Sequence, residues 1–141
     1  MSVKISTETI ACSTRGQDDI VDLTGKIAAC VAASGLREGQ VTVCVTGSTA
    51  AVTTIEYEPG LVKDMAEAYD KLAPAGDDYA HHATWGCDNG SSHVRAALQG
   101  PSLVVPFVDG RLVLGTWQQV VLAEFDTRPR DRKVVLQLIG I

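Results

Sequence analysis

The stretch after residue 100 constrains the fold most. Strand-like runs follow one another at 102–108, 111–115, 118–126 and 133–139, with no helical pattern between them. Asp109-Gly110 joins the first two and is a strong two-residue hairpin signal. A chain whose end is a succession of strands, with no βαβ repeat anywhere, reads as α+β with a largely antiparallel sheet.

The earlier segments fit that frame. Residues 3–11 alternate apolar and polar, with Val3 and Ile5 on one face, which predicts a half-buried strand. Thr24 is a plausible N-cap for a helix to about Ser34, with Ile27, Ala28 and Val31 on one face and Gly35 as the stop. Residues 41–46 (VTVCVT) form a strand by strict alternation, and 50–58 (AAVTTIEYE) a second one ended by Pro59-Gly60. Leu61, Met65, Ala68 and Leu72 recur at helical spacing, so 61–72 is an amphipathic helix closed by Pro74. Residues 74–88 read as loop. Asn89 can cap a short helix through about Gln99. The order is β-α-ββ-α-α-ββββ in a single domain over residues 1–141, a length near that of one ordinary domain.

Charge excludes some partners. The chain has 12 Lys+Arg against 17 Asp+Glu, a net of −5, where a dedicated nucleic-acid binder normally shows a basic face. No apolar run reaches the ~18–20 residues of a membrane helix, and MSVKISTETI lacks the apolar core of a secretion signal. The expected location is therefore the cytoplasm, with Cys12, Cys30 and Cys44 as buried free thiols and Cys87, inside the histidine segment, as the exception, either a free thiol or a fourth ligand there. The distribution is more telling than the sum. Residues 1–127 carry 8 cations and 16 anions, whereas 128–141 carry 4 cations (Arg128, Arg130, Arg132, Lys133) and 1 anion. All three histidines, His81, His82 and His93, fall within 13 residues. An acidic protein can hold an anion if its few cations converge, so 81–93 and 128–133 should approach each other in the fold or across a subunit boundary.

Four segments could carry chemistry. Gly47-Ser48-Thr49 sits between two strands and offers backbone N–H groups and two hydroxyls, a nest for phosphate or carboxylate, with Glu56 at the far end of the second strand. The plain alternative is an ordinary hairpin turn. YAHHATWGCDNGSSH, residues 79–93, gathers imidazoles, an amide, a thiol and Asp88 in a loop entering a helix, with His93 facing back toward the loop. Histidine is the usual acid/base and metal ligand near neutral pH, yet the spacing matches neither HExxH nor a zinc finger. Surface histidines and a second N-cap at Asp88 are the alternatives. In LGTWQ, residues 114–118, Gly115 suggests a bulge, and Trp117 and Gln118 either line a pocket or, for Trp117, sit in the core. In FDTRPRDR, residues 125–132, clustered Arg can grip phosphate, or form an exposed turn.

Together, GSTAAVTTIEYEPG, YAHH with DNGSSH, DGRLVLGTWQ and FDTRPRDRKV resemble the YjbQ family, also called UPF0047 or the secondary thiamine-phosphate synthase family, over nearly the whole chain. The resemblance implies an α+β, sandwich-like domain of about seven strands with two to three flanking helices, assembled as a homotrimer with a polar cleft near the subunit interface. It also implies weak thiamine-phosphate synthase activity, which joins a pyrimidine pyrophosphate to a thiazole phosphate and releases pyrophosphate; the alternative is a metal- or phosphometabolite-binding homotrimer without turnover. By the same resemblance, Glu56 matches the acidic position after the second strand, His81 the histidine of Y-x-H, and Asp88, Asn89 and His93 the DN(x)3H motif. Trp117 and Gln118 match LGTWQ, and Arg132 the arginine after the FD turn. His93, Asp88 and Glu56 are then the expected catalytic groups, with Ser48, Thr49, Asn89, Trp117, Gln118 and Arg132 on substrate. His81 and His93 are the expected ligands of a divalent ion, Mg or Zn. One departure stands out: many members read His-Thr-Thr where this chain reads Gly47-Ser48-Thr49. Gly47 cannot ligate a metal or move a proton, which counts against a three-histidine metal site. His82 replaces a commonly acidic residue and becomes a ligand only if the loop bends that way.

Overall fold

The computed structural model describes all residues, Met1–Ile141. Its elements are β1 (Lys4–Ser13), β2 (Ile20–Asp22), α1 (Thr24–Ser34), β3 (Gly39–Val45), β4 (Ala50–Ile55), α2 (Pro59–Leu72), α3 (Ala80–Trp85), α4 (Gly90–Gln99), β5 (Ser102–Val108), β6 (Arg111–Leu112), β7 (Gln119–Glu124) and β8 (Asp131–Gly140). The fold is α+β, as the strand succession predicts, with eight strands and four helices rather than about seven and two to three. Every strand pairing is antiparallel. Five strands form one sheet in the order β1-β8-β3-β5-β6, and three form a second in the order β2-β7-β4.

The two sheets stack. Val41, Val43 and Val45 of β3, Leu136 and Leu138 of β8 and Phe107 of β5 meet Val52, Val120 and Leu122 of the smaller sheet in one core, to which α1 adds Ile27 and Val31. The smaller sheet is covered on its other face too. Ala51 and Ala123 pack under Tyr69 of α2 and Ala96 of α4, and Val121 and Ile55 lie against residues of α2. Strand β7 is therefore buried on both faces, which is why Val120–Glu124 shows no alternation in burial. No helix of the fold is long and apolar enough to cross a membrane.

Local chemistry sets the element ends. Gly35, at φ 73°, takes the left-handed conformation that closes α1. The expected strand through Glu58 stops at Ile55, because the Glu58 carboxylate turns to accept from the Gly60 and Leu61 N–H groups and Pro59 starts α2. The expected loop at 74–88 contains α3, ended by left-handed Gly86. Asn89 stands at the N-cap of α4 without capping it by its side chain. His82 does so instead, its Nε2 accepting from the Gly90 N–H at 2.9 Å. A side chain at residue 90 would place its Cβ 2.5 Å from the Tyr79 Cβ, so glycine is required for this close approach of α3 to α4.

Candidate functional site

The smaller sheet brings the β3–β4 turn, the start of α4 and the end of β7 to one corner. Glu124 and Asp126, at and just beyond the end of β7, are almost wholly buried carboxylates and organise it. Glu124 accepts from Arg132 through Nε at 2.7 Å and again through Nη2, from the Thr14 hydroxyl at 2.8 Å and from the Asp126 N–H at 3.1 Å. Asp126 accepts from Arg130 Nε at 2.7 Å, the Thr49 hydroxyl at 3.1 Å, the Thr127 N–H at 2.8 Å and Asn89 Nδ2 at 3.4 Å. These partners hold the Asp126 carboxyl below the ordinary aspartate range against the opposing effect of its own burial. Thr49 links the two acids, accepting from Arg132 Nη2 at 2.7 Å while donating to Asp126.

Beside this network stand two imidazoles. The rings of His81, from α3, and His93, from the first turns of α4, lie 4.4 Å apart between centroids at a tilt of 56°. Burial and the neighbouring His81 push the His93 pKa below the ordinary histidine value, only partly offset by Asp126 and the Ser48 backbone. Together with Gly47 and Ser48, His93 lines a cavity of about 350 Å³. The backbone N–H groups of Gly47, Ser48 and Thr49 donate to no protein acceptor, and neither does the Ser48 hydroxyl. The turn is thus free to receive an anion.

The structure brings together Ser48, Thr49, His81, Asn89, His93 and Arg132. Of the basic segment 128–133, Arg128 lies on one cavity wall with Asp88 and Asn89, while the hydrogen bonds of that loop run to the residues just before it, Asn89 to Asp126 at 3.4 Å and the Thr127 hydroxyl to exposed Asp88 at 3.1 Å. Glu56, Trp117 and Gln118 lie elsewhere. They sit beyond the Ile55↔Gln119 end of the β4–β7 ladder, whereas the site lies at its Ala50↔Glu124 end. Five strand steps separate the two, roughly 17 Å. Trp117 is exposed, not in the core. Gln118 uses both ends of its amide on structure, accepting from the Gly115 N–H at 3.0 Å and donating to the Thr54 hydroxyl at 3.2 Å. Asp126 and Glu124, the hubs of the site, escape sequence reasoning. The only signal is acid–x–acid at the end of an apolar strand, which more often marks a solvated turn.

The donors present do not fit a divalent ion. No group of three or more His, Cys, Asp or Glu side chains is placed to hold one. His81 and His93 supply two imidazoles, and His82 is turned away to cap α4. At residue 47 a guanidinium fills the space: Arg132 Nη1 lies 2.9 Å from where a Cβ would stand.

The family model described as "UPF0047 protein YjbQ-like" matches residues 8–141. A UPF0047 protein of Archaeoglobus fulgidus is 38% identical over 121 residues, covering 86% of this chain and 91% of the relative. UPF0047 protein YugU of Bacillus subtilis is 29% identical, covering 94% and 98%. The crystal structure of a YbjQ-like protein of unknown function from Sulfolobus solfataricus superposes with a TM-score of 0.92 at 29% identity over 99% of this chain and 100% of that one. A hypothetical protein from Aeropyrum pernix superposes with a TM-score of 0.84 at 33% identity, over 95% and 99%. With the model match running through every segment of the site, this chain belongs to the YjbQ-like UPF0047 family.

Proposed function

We propose that this chain binds a phosphorylated small metabolite at the corner formed by the Gly47–Thr49 turn, His81 and His93, and there couples a pyrimidine pyrophosphate to a thiazole phosphate. The observation that carries the reading is the free Gly47–Ser48 backbone turn facing His93 across one cavity, with His81 packed against His93 at a tilt of 56°. In the coupling, the thiazole nitrogen forms a bond to the pyrimidine methylene carbon. The methylene–oxygen bond breaks, and its electron pair leaves with pyrophosphate. Charge grows on the departing phosphate, so hydrogen-bond donors fixed in advance lower the barrier. The free N–H groups of the turn and the Ser48 hydroxyl are such donors. Burial disfavours the charged form of His93, an anion arriving beside it favours that form, and as imidazolium His93 then donates to the leaving group.

Asp88 and Asn89 border the site from the α4 side, and Asn89 anchors the entry of α4 to Asp126. Glu56, Trp117 and Gln118 join the site only if a neighbouring subunit supplies them. A homotrimer is therefore part of the proposal. Its support is an uncovered face of the larger sheet, where Ile5, Val104 and Val108 are about half or more exposed, together with exposed Trp85 and Trp117.

Binding without turnover is the second reading, favoured by the placement of Trp117, the aromatic expected to face the pyrimidine cation, beyond the far end of the β4–β7 ladder, five strand steps or roughly 17 Å from the site's end. Incubation with the two phosphorylated precursors, with thiamine phosphate as the readout, separates them. Product that disappears in His93→Gln supports coupling. Pyrophosphate binding with no product supports the second reading, and neither binding nor product rejects the site.

A further inference from the structure

We infer that Arg132, admitted beside Gly47, supplies the positive charge that a phosphate group meets in this site, so that anion binding needs no divalent ion. The inference rests on the reading of the corner as a phosphate site and names the group that recognises it. Arg132 is 8% exposed and held in one pose: Nε and Nη2 donate to Glu124, and Nη2 also to Thr49. That leaves Nη1, which donates to no protein acceptor and lies 2.9 Å from the position a Cβ on residue 47 would take. Any side chain at 47 would have to displace a guanidinium that three contacts hold in place. Glycine is the residue that leaves Nη1 there, next to the free N–H groups of 47, 48 and 49.

Charge and geometry agree. Glu124 takes up Nε and Nη2 of Arg132, and Asp126 takes up Arg130, so Nη1 of Arg132 is the charged donor left beside Gly47. The Arg132 guanidinium cannot lose its proton, and its Nη1 occupies the space that a ligating side chain at residue 47 would need. A mono- or diphosphate gains from the same group. The ligand class is therefore a terminal phosphate oxyanion, bound without metal.

The test is calorimetric titration of the whole protein with inorganic pyrophosphate, in buffer with a chelator and in buffer with magnesium, for wild type and Gly47→Ala, each checked by thermal melting. The expected result is wild-type binding that persists with chelator, and at least tenfold weaker binding in a folded Gly47→Ala, the loss of about one charge-assisted hydrogen bond. Should Gly47→Ala fail to fold, the guanidinium N–H resonances of Arg132 in wild type provide the second readout, and they should shift on pyrophosphate addition. Wild-type affinity in folded Gly47→Ala, or unmoved Arg132 resonances during binding, overturns the role of Arg132. Binding seen only with magnesium overturns the metal-free inference and leaves the phosphate site standing. No binding in either buffer overturns both.

Discussion

Replacing Glu124 by Gln should be among the most damaging conservative changes in the chain. Glu124 has no exposed surface, and its partner Arg132 retains only 8%. The carboxylate accepts from Arg132 twice, from Thr14 and from the Asp126 N–H. Glutamine keeps the shape and one acceptor oxygen but leaves the guanidinium charge buried without its counter-ion. Removing one member of such a pair costs about 3–5 kcal/mol, because desolvation of the remaining charge is no longer offset. For a domain of this size that lowers the melting temperature by roughly 10 °C or more. Arg132→Met should also destabilise, but the double variant should recover much of the loss, since two uncharged groups need no pairing. Urea unfolding of the four proteins gives the coupling directly. A Glu124→Gln loss under about 1 kcal/mol, or additive single effects, would refute the claim that a buried ion pair holds this corner together.

Three further outcomes follow from single contacts. Gly90→Ala should lose about 1–3 kcal/mol on thermal or urea unfolding, because its Cβ would stand 2.5 Å from the Tyr79 Cβ and 2.9 Å from the His82 nitrogen that caps α4. Gln118→Ala should free the 115–118 turn, seen as faster amide hydrogen exchange at Gly115, with a stability change of only about 1 kcal/mol or less. The lowered pKa of His93 means that the unfolded chain binds more protons than the folded one below about pH 6.5. Its contribution to stability is therefore fully present above that pH and lost as the pH falls, and His93→Gln should flatten the fall in a melting series from pH 8 to pH 5.

The sequence made the larger sheet legible because its strands bury one face. Residues 41–46, 102–108 and 133–139 alternate plainly, and β3, β5 and β8 lie there. The smaller sheet was harder. Strand β2 is three residues long and exists only through its pairing with β7, so no local pattern announces it. The strand expected at 111–115 ends at Leu112, because Gln118 folds residues 115–118 into a turn that hydrophobic pattern cannot register. Helix α3 is six residues with none buried, which leaves no apolar stripe to read. At the site, the histidine cluster and the Gly-Ser-Thr turn were visible as residue types. That His82 caps a helix while His81 and His93 pair is decided by the packing of α3 on α4. The segment 125–132 could be read as a solvated turn; in the fold Phe125 and Asp126 are buried, because a strand covered on both faces carries its end inward with it.

The central claim is that the His81–His93 corner receives a phosphate group. Long-range ¹H–¹⁵N spectra of the imidazole nitrogens, recorded while the protein is titrated with pyrophosphate near pH 7, test it most directly, because the chain has only three histidines to assign. His81 and His93 should respond, with His93 moving toward its protonated form, while His82, whose Nε2 accepts from Gly90, should not shift. Binding that leaves His81 and His93 unmoved, or that acts on His82 alone, would contradict it.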